Sequence, residues 1–169
     1  MPVPKRHHQA TAEADTPNAS RRAPSGLYGH DLYTWAIEQA AALRAGDLES
    51  LDLANLAEEI EDLGSEQLHK LTSAYRIVLT HVLKWDHQPE RRSRSWATSI
   101  NSQRVAASDV LEDSPGLKSR RDVALARAYR RARIEAGGQT GLGEDAFPAE
   151  CPYSLDDVMM REFPWALQG

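Results

Sequence analysis

Apolar residues recur along this chain with a period near 3.6, and nothing alternates with period two over a useful length. The longest such pattern is the clearest. At 100° per residue, Leu53, Leu56, Ala57, Ile60, Leu68, Leu71, Ala74, Tyr75, Val78, Val82 and Trp85 fall close to one line, while Asn55, Glu58, Asp62, Glu66, His69, Ser73 and Arg76 fall opposite. The register survives Gly64, so one helix of roughly 50 Å is allowed at 1.5 Å per residue, with Asp52 as its N-cap. Ile77, Leu79 and Leu83 widen the stripe, which predicts deeper burial in the C-terminal half. Pro89 disfavours the α conformation at Gln88 and ends the helix near Asp86 or His87.

Shorter patterns flank it. Asp31 is placed to cap a first helix carrying Leu32, Trp35, Ile37, Ala40 and Leu43, with Gly46 as its stop. A third helix runs through Trp96, Ile100, Ala107, Val110 and Leu111. Ser114-Pro115 offers an N-cap and N1 proline for a fourth, through Leu117, Ala124, Leu125, Ala128, Tyr129 and Ala132, with Gly137-Gly138 as its end. Gly141 to Pro152 reads as irregular, and Ser154-Leu-Asp-Asp157 as an acidic capping box for a short last helix. Residues 1–26 read as a disordered tail, in which His7 and His8 are solvated. The expectation is an all-α bundle of about four main helices in one domain over 27–169, with a short C-terminal helix.

Charge sharpens this picture. The net charge of -5 argues against a global pull toward nucleic acid or anionic membrane. Locally, residues 47–66 hold eight Asp or Glu and no Lys or Arg, whereas residues 118–133 hold seven Lys or Arg and one Asp. The single Cys151 excludes an internal disulfide and fits a reducing compartment. No apolar run approaches the roughly 20 residues that span a bilayer, and the N-terminus lacks the apolar core of a signal peptide. A cytoplasmic protein, not membrane-bound, is expected.

The chain also resembles a known family. Asp31-Leu-Tyr-x-Trp35, Leu51-Asp-Leu-x-Asn-Leu-Ala-Glu-Glu-Ile-Glu-x-Leu-Gly64, His81-Val-Leu-Lys-Trp85, Gln88-Pro-Glu-Arg-Arg-Ser-Arg-Ser-Trp96 and Phe147-Pro-x-Glu-Cys-Pro-Tyr-Ser-Leu155 resemble, in order, the bacterial family catalogued as domain of unknown function 29. The likeness runs from about Leu27 to Trp165 and implies an α-helical bundle. It implies no activity, and so no catalytic positions. Where a Gln-Tyr-like pair is the family's habit, this chain reads Asp86-His87.

The residues themselves offer four candidate chemistries. Glu58, Glu59 and Asp62 resemble half of a Mg²⁺-binding carboxylate set for a metal-dependent hydrolase, but the only Glu-x-x-Asp, Glu49 to Asp52, lies upstream, Glu58 and Asp62 point away from the stripe, and a solvated acidic face is the favoured explanation. Glu66-x-x-His69 is half a di-iron signature without its second copy. His81 is a weak metal candidate, 22 residues from Glu59 and so roughly 33 Å away along a straight helix. Arg91, Arg92, Arg94 and Trp96, with Lys118, Arg120, Arg121, Arg127, Arg130, Arg131 and Arg133, offer a nucleic-acid surface. The bland alternatives are a structural corner of Trp85, Pro89, Arg92 and Trp96, and a basic helix lying against the acidic segment. In that reading Arg91 and Arg94 remain free for a partner. No catalytic residue and no cofactor is expected. A non-enzymatic interaction or assembly protein is favoured, with a homodimer or a protein partner covering the long helix; nucleic acid is the alternative.

Overall fold

The computed structural model describes residues 26–164. Within them the fold is all-α: α1 (Leu32–Ala45), α2 (Leu53–His87), α3 (Arg94–Asp113), α4 (Arg121–Thr140) and α5 (Leu155–Met160), joined by short 3₁₀ turns, with no strand among the described residues. Among the described residues, no helix is long and apolar enough to cross a membrane. The expected tail and its His7 and His8 lie outside the described residues, as does Trp165. The chain forms two compact units, one through Leu56 and one from Ala57 onward.

In the first unit, Asp31 caps α1 by accepting from the Thr34 backbone N–H, and Gly46 ends it in the left-handed region at φ +70°. Its core is small and partly polar. Trp35 is buried, meets Tyr28 edge to face with centroids 4.9 Å apart, and points its indole N–H at Asp52, 3.4 Å away. Buried Gln39 accepts from the Asp52 backbone N–H at 2.7 Å. Asp52 in turn accepts from the Asn55 backbone N–H, capping α2. Leu32, Ile37 and Leu43 were expected on the buried face and are instead exposed. Period alone marks a helical face, not what covers it.

In the second unit, α2, α3, α4 and the 147–163 segment enclose one core, led by Leu71, Tyr75, Val78, Leu79, Val82, Leu83, Ile100, Ala128, Tyr129 and Val158. The C-terminal half of α2 is the buried half, as its wider stripe predicts. α2 passes through Gly64 without a break and ends at His87. Side-chain bonds fix the packing of α2 on α4: Arg76 and Thr80 to Glu135, Lys84 to Gln139, and Gln88 to the Thr140 carbonyl. Partners rise together in number, so the two helices run parallel, offset by about 55 residues. Arg121, where α4 begins, is therefore level with Glu66.

Both ends of α4 differ from expectation. Pro115–Arg120 is a 3₁₀ turn in which Ser114 makes no side-chain cap, and α4 starts only at Arg121. Leu117 from that turn packs on the core, which the tighter turn allows without extending α4. α4 continues through Gly137-Gly138 and stops at Gly141, φ +74°. Gly137 has another role. A Cβ there would meet Glu144 N and Gly143 C at 2.9 Å, so the returning loop lies directly on the helix backbone. Ser154 and Asp157 form the expected capping box of α5.

Candidate functional site

The turn from α2 to α3 gathers the His81–Trp96 block. Ser93 caps α3 by accepting from the Trp96 backbone N–H, which turns the chain immediately after the Pro89–Arg91 3₁₀ turn. Trp85 is buried at this corner. Arg92 donates from Nε to the Trp85 carbonyl at 2.9 Å and lays its guanidinium 5.3 Å from the Trp85 ring centroid, although the residue is exposed and pairs with no carboxylate among the described residues. Lys84 sits 4.5 Å from the Trp96 centroid, and burial lowers its pKa. Pro89, Arg91 and Arg94 are exposed.

The strongest polar contacts at the corner come from Asp86. Tyr153 donates its hydroxyl to Asp86 at 2.9 Å, and Arg161 grips both carboxylate oxygens at 2.9 and 2.6 Å. Burial alone would raise the Asp86 pKa, but the donors Arg161 and Tyr153 outweigh it and hold the carboxyl below its usual range. Burial, and then the Asp86 charge, push the Tyr153 phenol well above its ordinary value. Phe163 meets Trp85 edge to face at 5.4 Å, flanked by the guanidinia of Arg104 and Arg161. Arg104 also donates to the Val158 and Asp157 carbonyls, satisfying the last turn of α5. Charge and ring contacts thus strap the C-terminal segment to the end of α2. Sequence reasoning passed over Asp86, Arg104, Tyr153, Arg161 and Phe163; the departure at Asp86-His87 was the one signal available.

The remaining candidates disperse. His81 is half-buried, its Nδ1 donating to the Ile77 carbonyl at 2.9 Å, and burial lowers its pKa. Because α2 is unbroken, Glu59 and His81 stay about 33 Å apart. Glu58 and Asp62 are exposed. No three His, Cys, Asp or Glu residues cluster as a metal-holding group among the described residues. Cys151 is half-buried, its thiol pKa raised by burial, and it donates weakly to the Tyr153 carbonyl.

Arg127, Arg130 and Arg131 lie on α4, apart from the corner residues Arg91 and Arg94 in sequence and on a different helix. They line a groove of about 520 Å³ with His69, Thr72, Ser73 and Arg76 of α2. The outer face of α4 carries Val123, Arg127, Arg130 and Ile134, spaced as one stripe and all exposed. On α2, the residues from Ala57 to Glu66 precede the start of α4. There Ile60 and Leu63 are 66% and 63% exposed, amid Glu58, Glu59, Glu61, Asp62 and Glu66.

A family model described as Domain of unknown function DUF29 matches residues 27–164, most of the chain. No curated protein and no solved structure matches it.

Proposed function

We propose, for a chain that belongs to the Domain of unknown function DUF29 family, a non-enzymatic role as a self-assembling helical interaction protein whose first partner is a second copy of itself. One observation carries this reading. The stripe that buries Leu71, Val78, Leu79, Val82 and Leu83 to 1% exposure or less continues upstream into Ile60, with Leu63 at its margin, and both stand about two-thirds exposed. Burying one such side chain fully contributes roughly 1.5–3 kcal/mol, and a two-fold pair doubles the number buried.

Charge selects the surface that covers them. Two copies of the α2 segment from Ala57 to Glu66, which overhangs the start of α4, would bring together two sets of carboxylates if packed on each other, and these repel. The α4 outer face instead offers Val123 and Ile134 to the apolar residues and Arg127 and Arg130 to the acids. In an isologous pair, each overhang lies on the other copy's α4. A cytoplasmic setting suits the lone thiol of Cys151.

Sedimentation velocity on the full chain, with Ile60→Asp and Leu63→Asp variants, tests the proposal. Because both sites are exposed, the variants keep the wild-type helical circular dichroism but lose the dimer. A wild-type chain that stays monomeric at high micromolar concentration contradicts it.

A further inference from the structure

The groove between α2 and α4 holds a charge imbalance that the fold leaves uncompensated. On α2, His69, Ser73 and Arg76 follow one another at i, i+4 and i+7, with Thr72 beside them; on α4, Arg127, Arg130 and Arg131 stand at i, i+3 and i+4. The parallel packing sets Arg127 level with Thr72 and Arg131 level with Arg76. Four guanidinia therefore face one groove in a chain whose net charge is -5.

Only one of the four is compensated. Arg76 pairs with Glu135, and that carboxylate also accepts from the Thr80 hydroxyl. Arg127, Arg130 and Arg131 make no hydrogen bond or ion pair among the described residues. Ser73 and Thr72 add hydroxyls: Ser73 Oγ accepts from Arg76, and Thr72 donates to the Leu68 carbonyl. No carboxylate lines the groove. Crowded like charges are unfavourable until an anion arrives, and the planar fork of Arg suits phosphate oxygens.

We propose that this groove binds a ligand carrying two or more adjacent phosphates. Arg127 and Arg131 are one turn apart, about 6 Å along the axis, which lets each take a separate phosphate. Arg130 and Arg76 flank them, and the Ser73 hydroxyl supplies a neutral donor. The chemistry is shared by a free polyphosphate, a nucleotide and a single-stranded nucleic acid backbone, and the probes separate these sources.

The test is calorimetric titration of the full chain with inorganic pyrophosphate, a nucleoside triphosphate and a short single-stranded oligonucleotide. Arg127 and Arg130 also belong to the outer face of α4, so the Ile60→Asp chain is titrated in parallel to remove self-association. Replacing Arg127 and Arg131 together by Gln is expected to weaken binding at least about tenfold, roughly 1.4 kcal/mol. The paired Arg→Lys variant keeps the charge but loses the fork, and falls between. Arg91→Gln with Arg94→Gln, outside the groove, leaves affinity unchanged. Oligonucleotide binding well tighter than pyrophosphate, falling steeply with salt, identifies a nucleic acid strand; comparable affinities identify a small phosphate ligand. Absence of binding by all three probes at millimolar concentration overturns the proposal. So does an equal loss in the Arg91/Arg94 variant, which would mark diffuse charge rather than a site.

Discussion

Gly137 and Gly138 are neighbours in one helix, and replacing each by Ala should move stability in opposite directions. Glycine inside a helix costs about 0.8–1 kcal/mol relative to alanine. Gly138 is exposed, with nothing within 4 Å of an added Cβ, so Gly138→Ala is expected to gain about 0.5–1 kcal/mol. Gly137 is buried, and its Cβ would meet the backbone at Glu144 N and Gly143 C, both 2.9 Å away. Backbone atoms cannot rotate aside as a side-chain tip does. The loop is also pinned by Arg133, which donates to the Glu144 and Phe147 carbonyls and pairs with the Glu144 carboxylate. Displacing it costs about 1–3 kcal/mol, which outweighs the helix gain. Thermal unfolding followed by circular dichroism should place the two variants on either side of wild type, several degrees apart. A Gly137→Ala chain as stable as Gly138→Ala would refute the close approach of loop and helix.

Three further outcomes follow from the same contacts. Asp86→Ala removes three donors' acceptor; at partial exposure the loss is about 2–3 kcal/mol in urea unfolding at neutral pH, and a double-mutant cycle with Tyr153→Phe shows coupling above about 0.5 kcal/mol. Because the folded Asp86 pKa is depressed, that stabilisation is complete above the unfolded value of about 3.9 and disappears as pH falls through the folded value; a pH-independent loss would contradict the pairing. His81, held neutral by burial, should titrate by NMR with a midpoint below about 6.5. Its contribution is full above that pH and is lost toward the lower folded midpoint, whereas a midpoint at or above 6.5 contradicts the burial. Tyr75 is fully buried with an unpartnered hydroxyl, so Tyr75→Phe is expected to be neutral or stabilising, and a loss above about 1 kcal/mol would reveal a missing partner.

What could be read from the sequence was what neighbours decide. Asp31, Gly46 and the Ser154–Asp157 box act across three or four residues, and each stands where local rules place it. The buried half of α2 was legible because its own stripe widens. The rest depends on distant chain. Asp86 meets Tyr153 and Arg161 across 67 and 75 residues. Gly137 and Gly138 look alike until the loop returns to one of them. Arg127, Arg130 and Arg131 were visible as a basic run, but their joining with His69, Ser73 and Arg76 follows from the offset of two parallel helices. Ile60 and Leu63 show the limit most clearly, since the pattern that predicts a covered face does not say what covers it.

Sedimentation equilibrium of the full chain over a concentration series decides whether a second copy covers Ile60 and Leu63. The mass is expected to rise from 18.8 kDa toward twice that value, with the rise abolished by Ile60→Asp. A mass fixed at 18.8 kDa at every concentration would contradict it.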